Sequence, residues 1–155
     1  MEDKQSMSCT IRVGLPEDIN KLHALISELA AFERSLPEVT NTPEQLLHDG
    51  FKENPLFGFY VAEVAGEVIG FVLYYYRYST WKGKVLYIED LYINPAQRGQ
   101  GVGKLLIEVM QQHAKTEQCQ RLMLQVLDWN ESAIAFYQKM GMTIDKEWLN
   151  VYKKV

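Results

Sequence analysis

The chain has little cysteine, little net charge and no long apolar run, and each shortage excludes something. Its 155 residues hold two cysteines, Cys9 and Cys119, far apart and without C-x-x-C spacing. That argues against a disulfide scaffold and against a cysteine zinc site. The three histidines, His23, His48 and His113, are equally scattered and are expected on helix surfaces, so no metal is expected. The net charge is -4, where a nucleic-acid binder presents a basic surface, so no nucleic acid is expected as a partner. No apolar run reaches the ~18 residues of a membrane span, so no membrane partner is expected. The opening Met1-Glu2-Asp3-Lys4-Gln5 is polar and has no apolar stretch behind it that would read as a secretion signal. The expectation is a cytoplasmic enzyme.

What is present suffices for one domain. A content of 47% hydrophobic and 23% charged residues is ordinary for a globular protein. A single domain is expected over residues 1–155, with residues 1–8 as a disordered tail. Thr10–Val13 reads as a first strand. Pro16-Glu17-Asp18 opens a helix, because proline and acids suit a first turn. Ile19, Leu22, Leu25, Ile26, Leu29 and Ala30 continue it at three-and-four spacing. Leu36-Pro37 ends it, and Thr42 caps a shorter helix running to about Gly50.

Phe57–Val64 and Val68–Tyr78 flank the turn Ala65-Gly66-Glu67 and read as a hairpin. The second run, apolar on both faces, is expected at the centre of the sheet. Val85–Ile93 is the next strand, ended by Asn94-Pro95. A helix follows over 101–116, with Val102, Leu105, Leu106, Val109 and Met110 on one face. Arg121–Leu127 reads as a strand and Glu131–Met140 as a helix. Thr143–Lys153 reads as a last strand or two. The order β-α-α-β-β-β-α-β-α-β implies an α/β fold with a mixed, mostly antiparallel sheet flanked by helices.

The most informative stretch is Arg98-Gly99-Gln100-Gly101-Val102-Gly103. A glycine-rich turn between a strand and a helix offers backbone N–H groups to a phosphate. The dinucleotide pattern fails, because counting from Gly99 its third glycine would fall on Lys104. The Walker pattern fails too, because its first glycine would fall on Arg98 and Leu105 replaces the hydroxyl residue. What remains, Arg-x-x-Gly-x-Gly after a strand carrying carboxylates, resembles the acetyl-CoA loop of the Gcn5-related N-acetyltransferase (GNAT) family.

Acetyl transfer to an amine needs the thioester held, the ammonium deprotonated and the leaving thiolate protonated. Amides around Gly99, Gly101 and Gly103 would hold it, with strand-edge groups of Leu91, Tyr92 and Ile93 for the pantetheine arm. Deprotonation points to Glu89 or Asp90. Neighbours in a strand face opposite ways, so one carboxylate is expected in the cleft and the other across the sheet. Phe136 and Tyr137 read from the residues alone as core aromatics.

The resemblance rests on Glu89–Ile93, Arg98–Lys104 and Asn130–Gly141, and the element order agrees over about Thr10–Lys153. Further stretches, including Glu28–Glu33, Leu46–Phe51, Gly70–Tyr75 and Trp81–Leu91, resemble the diamine (spermidine/spermine) acetyltransferases and their thialysine-acetylating relatives. The resemblance implies roles. Glu89 binds the amine and accepts its proton, and Tyr137 is the general acid. Leu91 and Ile93 pair with pantetheine, and Arg98, Gly99, Gln100, Gly101, Val102, Gly103 and Lys104 wrap the pyrophosphate. Asn130 and Ser132 contact the coenzyme A arm, while Phe32, Glu33, Trp81 and Asp90 bind the acceptor. It also implies acetyl-CoA as co-substrate, a small-molecule amine substrate and a homodimer. A polyamine leads as acceptor. Thialysine or another lysine-like amine, a protein or peptide amine, and a non-catalytic coenzyme A sensor are the alternatives. The chain is shorter than the mammalian enzymes at Ala65-Gly66-Glu67 and between Gly141 and Trp148.

Overall fold

The structure is a computed structural model that describes residues 8–155. Residues 1–7 of the expected tail lie outside the described residues. Two compact units are present, one reaching to Gln125 and the other Val126–Val155.

The first unit contains β1 (Cys9–Val13), α1 (Ile19–Phe32), α2 (Pro43–Phe51), β2 (Gly58–Val64), β3 (Glu67–Ser79), β4 (Gly83–Ile93), α3 (Val102–Thr116) and β5 (Arg121–Leu124). The sheet order is β1-β2-β3-β4-β5. All pairs are antiparallel except β4 with β5. This is the mixed, mostly antiparallel sheet that the element order implied, with β3 at its centre.

Local chemistry explains the elements. Pro16–Asp18 forms a short 3-10 turn ahead of α1. Asp18 is buried there and receives two hydrogen bonds from Arg12 at 2.7 and 3.0 Å and one from the Leu15 amide at 2.8 Å. The Arg12 guanidinium holds the Asp18 carboxyl below the usual carboxylate range. Thr42 accepts from the Gln45 amide and caps α2. Ala65 and Gly66 take φ of 50° and 78°, the left-handed pair that a tight two-residue hairpin turn requires. Ile19, Leu22 and Leu25 of α1 pack with Phe59, Val61, Phe71 and Leu73 on one face of the sheet.

Three details differ from the sequence expectation. The buried residues of α3 are Val102, Leu106, Ile107, Met110 and Ala114, while Leu105 is exposed. The stripe 102-106-110 has an apolar flank on either side, and the helical pattern cannot choose between them. β3 is buried on both faces only over Val68–Leu73, and Tyr76–Tyr78 emerge into solvent. His113, expected on a helix surface, is half-buried among tyrosines. Tyr60 and Tyr76 hydroxyls lie 3.0 and 2.8 Å from its two ring nitrogens, and the Tyr74 ring centroid is 4.7 Å from its own.

The second unit contains α4 (Glu131–Lys139). Asn130 caps it by accepting from the Ala133 amide at 3.3 Å. Gly141, with φ of 82°, stops it, and the Met142 amide closes back on the Tyr137 carbonyl at 3.0 Å. β5 ends at Leu124 rather than Leu127, and Thr143–Lys153 forms no strand. A strand exists only when its backbone groups pair with a neighbour, and this segment has no ladder partner within its unit.

Candidate active site

The site begins where β4 loses a neighbour. β5 pairs with β4 only from Val85 to Ile88, so Glu89–Ile93 keep β3 on one side and, among the described residues, have no strand on the other. The β3–β4 register breaks at the same point. Leu73 faces Asp90, and the next pair is Tyr74 with Ile88. Glu89 is therefore the extra residue of a β-bulge, a device that re-aims side chains.

The bulge corrects the expectation that Glu89 and Asp90 face opposite ways. Leu73, Tyr75 and Arg77 share one face of β3 by alternation, and Leu73 belongs to the core packed under α1. Asp90 stands opposite Leu73. The Tyr75 hydroxyl donates to Glu89 Oε2 at 3.1 Å. Both carboxylates thus lie on the α1 face.

That crowding has an electrostatic consequence. The Asp90 carboxyl is pushed up to about 7 by burial, then by the charges of Glu89 and Glu33. Glu33, the residue that ends α1, is itself raised by burial. The end of α1 thus adds a third carboxylate to the pair. Tyr75 is raised to about 12, by burial and then by Glu89, so it remains a hydrogen-bond donor at neutral pH.

Beyond the site, β4 gives way to the glycine turn. Gly99 and Gly101 take φ of 77° and 80°, and a Cβ at either would meet nothing within 4 Å. These glycines are required by the backbone, and the space before them is open. Gly101 is the N-cap of α3 and no side chain caps the helix. The amides of Val102, Gly103 and Lys104 therefore have no intrahelical acceptor. The Val102 side chain is buried, leaving only its amide to the turn, and Gln100 is exposed. Gly103 lies inside α3. Lys104 Nζ is 3.6 Å from Glu108.

Arg98 ties this turn to β4. Its Nε donates to the Ile93 carbonyl at 3.0 Å, and its guanidinium lies over the rings of Tyr92 and Phe32 at 5.4 and 5.6 Å. Of the three strand-edge candidates, the Tyr92 carbonyl is turned toward Gly70 of β3, and the Asn94 amide bonds Ile69 on that same side. Carbonyls alternate along a strand, so Leu91 and Ile93 direct theirs to the free edge. The Tyr92 ring is buried and its hydroxyl donates to Glu28 at 3.1 Å.

The remaining candidates are dispersed. Trp81 lies in the β3–β4 turn and is 82% exposed, ~20 Å from Glu89 by strand rise, so the structure does not bring it to the carboxylates. Asn130, Ser132 and Tyr137 belong to the second unit. Ser132 Oγ donates to Asn130 Oδ1 at 3.4 Å. Tyr137 is buried, edge-on to Phe136 with centroids 5.3 Å apart. Sequence reasoning missed Tyr75, Tyr87 and Arg77. Period-2 alternation would have placed Tyr75 and Arg77 together, but only the bulge puts Glu89 on their face. Among the described residues no helix is long and apolar enough to cross a membrane.

The model of the acetyltransferase (GNAT) family matches residues 22–142. The thialysine N-epsilon-acetyltransferase of Mus musculus is 39% identical over 154 residues, covering 92% of this chain and 91% of that protein. The spermidine/spermine N(1)-acetyltransferase-like protein 1 of Homo sapiens is 39% identical over 138 residues, covering 84% of this chain and 20% of that protein. Among solved structures, an integron cassette protein from the V. cholerae mobile metagenome aligns with a TM-score of 0.78 at 23% identity, covering 96% of this chain and 94% of that one.

Proposed function

The chain belongs to the acetyltransferase (GNAT) family, and we propose that it carries an acetyl group from acetyl-CoA directly to a primary amine of a small polyamine or lysine-like molecule. The observation that carries this reading is the bulge at Glu89. It sets two carboxylates beside an unpaired strand edge that leads into an uncapped helix terminus.

The residues fit coenzyme A. Open left-handed glycines and free amides at the positive end of α3 suit a pyrophosphate, and the free edge at Leu91 and Ile93 suits the amide-bearing pantetheine arm. Acetyl-CoA supplies the activated acyl group as a thioester. Glu89 binds the acceptor ammonium and takes its proton, directly or through a water. Asp90 and Glu33 add negative potential, and Phe32 contributes an apolar wall. Tyr137 gives its hydroxyl proton to the departing sulfur, and Asn130 and Ser132 contact the coenzyme A arm. The products are the N-acetylated amine and free coenzyme A; of the two protons the ammonium loses, one stays on Glu89 and the other replaces the proton that Tyr137 gave to the sulfur. A homodimer belongs to this reading, because the second unit leaves Trp148, Leu149, Val151 and Tyr152 exposed and such apolar groups are commonly covered by a partner. The reading includes one catalytic domain and a cytoplasmic location.

An acceptor panel tests it. Thiol release from acetyl-CoA is followed with spermidine, spermine, putrescine, thialysine and lysine. Release with one or more of them is the expected result. Release only with peptides would move the acceptor to protein amines, and coenzyme A binding with no turnover on any amine would overturn the enzyme reading.

A further inference from the structure

We propose that Arg77 reads a carboxylate on the acceptor, so that the preferred substrate is an amino acid bearing a terminal amine rather than a polyamine. This rests on the acetyl-transfer reading above and deepens it. Arg77 and Tyr75 share a face of β3, two residues apart. The Arg77 guanidinium lies over the Tyr87 ring at 4.8 Å. Tyr87 and Tyr75 rings are 5.2 Å apart, and the Tyr75 hydroxyl reaches Glu89 at 3.1 Å. A chain of contacts therefore links the carboxylate to the guanidinium, with Tyr75 half-buried and Tyr87 buried beneath Arg77. Among the described residues no acid forms an ion pair with Arg77. Its charge nonetheless acts on the Tyr75 and Tyr87 hydroxyls, opposite in sign to Glu89.

This face of the sheet thus has an exposed anionic end at Glu89 and an exposed cationic end at Arg77. They stand on the order of 10 Å apart by strand rise and side-chain reach. A lysine-sized molecule spans that gap with a hydrogen bond of ~2.9 Å at each end. Its amine meets Glu89 and its carboxylate meets the planar donor fork of Arg77. A polyamine laid the same way would bring a second ammonium against the guanidinium. It would have to run instead toward Asp90 and Glu33.

The test uses acceptor pairs that differ only in the carboxylate, lysine with cadaverine and ornithine with putrescine. The wild-type enzyme is expected to favour the amino acid by ~10-fold or more in kcat/KM. Arg77→Gln should raise KM for lysine ~10-fold with kcat within ~2-fold, while KM for cadaverine should hold or fall because the repelling charge is gone, and an unchanged unfolding midpoint checks that the variant folds. Arg77→Lys should recover part of the loss. Calorimetric titration of lysine into the coenzyme A complex should show the same weakening without turnover. Preference for the diamines by the wild type, or equal effects of Arg77→Gln on both members of a pair, overturns the inference and leaves acetyl transfer standing. Absence of thiol release with every amine tried overturns both.

Discussion

Leu73 faces Asp90 across the β3–β4 ladder and Tyr74 faces Ile88, so Glu89 stands between them with no cross-strand partner. Its carboxylate is held instead by the Tyr75 hydroxyl. An acid so placed, at an exposed bulge, is free to meet a ligand. Glu89→Gln is expected to raise KM for the amine and to lower kcat at neutral pH, because charge pairing and proton acceptance are both lost. The KM for acetyl-CoA should change little. Steady-state kinetics with each substrate varied in turn checks this, and an unchanged kcat at saturating amine would remove Glu89 as the base.

Asp90 gives a stability prediction with a defined sign. Its folded value is raised to about 7, against ~3.9 in an unfolded chain. The folded state therefore binds this proton more tightly. The stabilisation is fully present below ~3.9 and is lost as pH rises through about 7. Asp90→Asn, which mimics the protonated acid, should match the wild type near pH 4. At pH 8 it should be more stable by about 2 kcal/mol, less than the full shift would give at ~1.36 kcal/mol per unit, because water screens a partly open site. Urea midpoints across pH 4–8 measure the difference. A gap that does not widen with pH would contradict it.

His113 works in the opposite direction. Burial pulls its value down, with Lys84 adding to the effect and Glu117 opposing it. The unfolded chain binds this proton more readily, at ~6.5. The stabilisation is present above that pH and lost as pH falls below it. His113→Gln keeps a donor and an acceptor for Tyr60 and Tyr76 but cannot titrate. It should flatten the fall in unfolding midpoint between pH 7 and pH 5, and an unaltered slope would show that His113 does not set it.

What was legible in the sequence is what local chemistry decides. Thr42 capped its helix, Ala65-Gly66 turned its hairpin, Asn94-Pro95 ended β4 and Gly141 stopped α4, each within a few residues of the signal. The Arg98–Gly103 turn was legible for the same reason. The bulge was not, because register belongs to two strands and period-2 alternation in one strand cannot show where its partner skips a residue. The shared face of Glu89 and Asp90 went unseen with it. His113 was misplaced because its environment comes from β2 and β3, more than 30 residues away in the chain. Thr143–Lys153 has a strand's composition, but the partner that would make it one is not in the composition.

Gly101 separates backbone need from ligand contact. Its φ of 80° is left-handed and the space around it is open. An alanine there meets no clash but is strained by ~1–2 kcal/mol. Gly101→Ala is therefore expected to destabilise the start of α3 and to shift the free amides, raising KM for acetyl-CoA several-fold with the amine KM unchanged. Unaltered acetyl-CoA kinetics would show that the turn does not hold the donor.

Tyr137 combines a buried ring with a hydroxyl, and the two can be separated by substitution. It is buried and its ring meets Phe136 edge-on, which a core aromatic would also do. Removing only the hydroxyl distinguishes the roles, since Tyr137→Phe keeps the ring contact. As a general acid Tyr137 acts only when the sulfur departs, so its loss should lower kcat and kcat/KM together by ~10²-fold. Coenzyme A affinity, measured by titration without an acceptor, should stay within about twofold. An acceptor-independent fall in affinity with normal turnover would make the hydroxyl a binding group. Unchanged kinetics would make Tyr137 a core aromatic and leave the departing thiolate to take its proton from water.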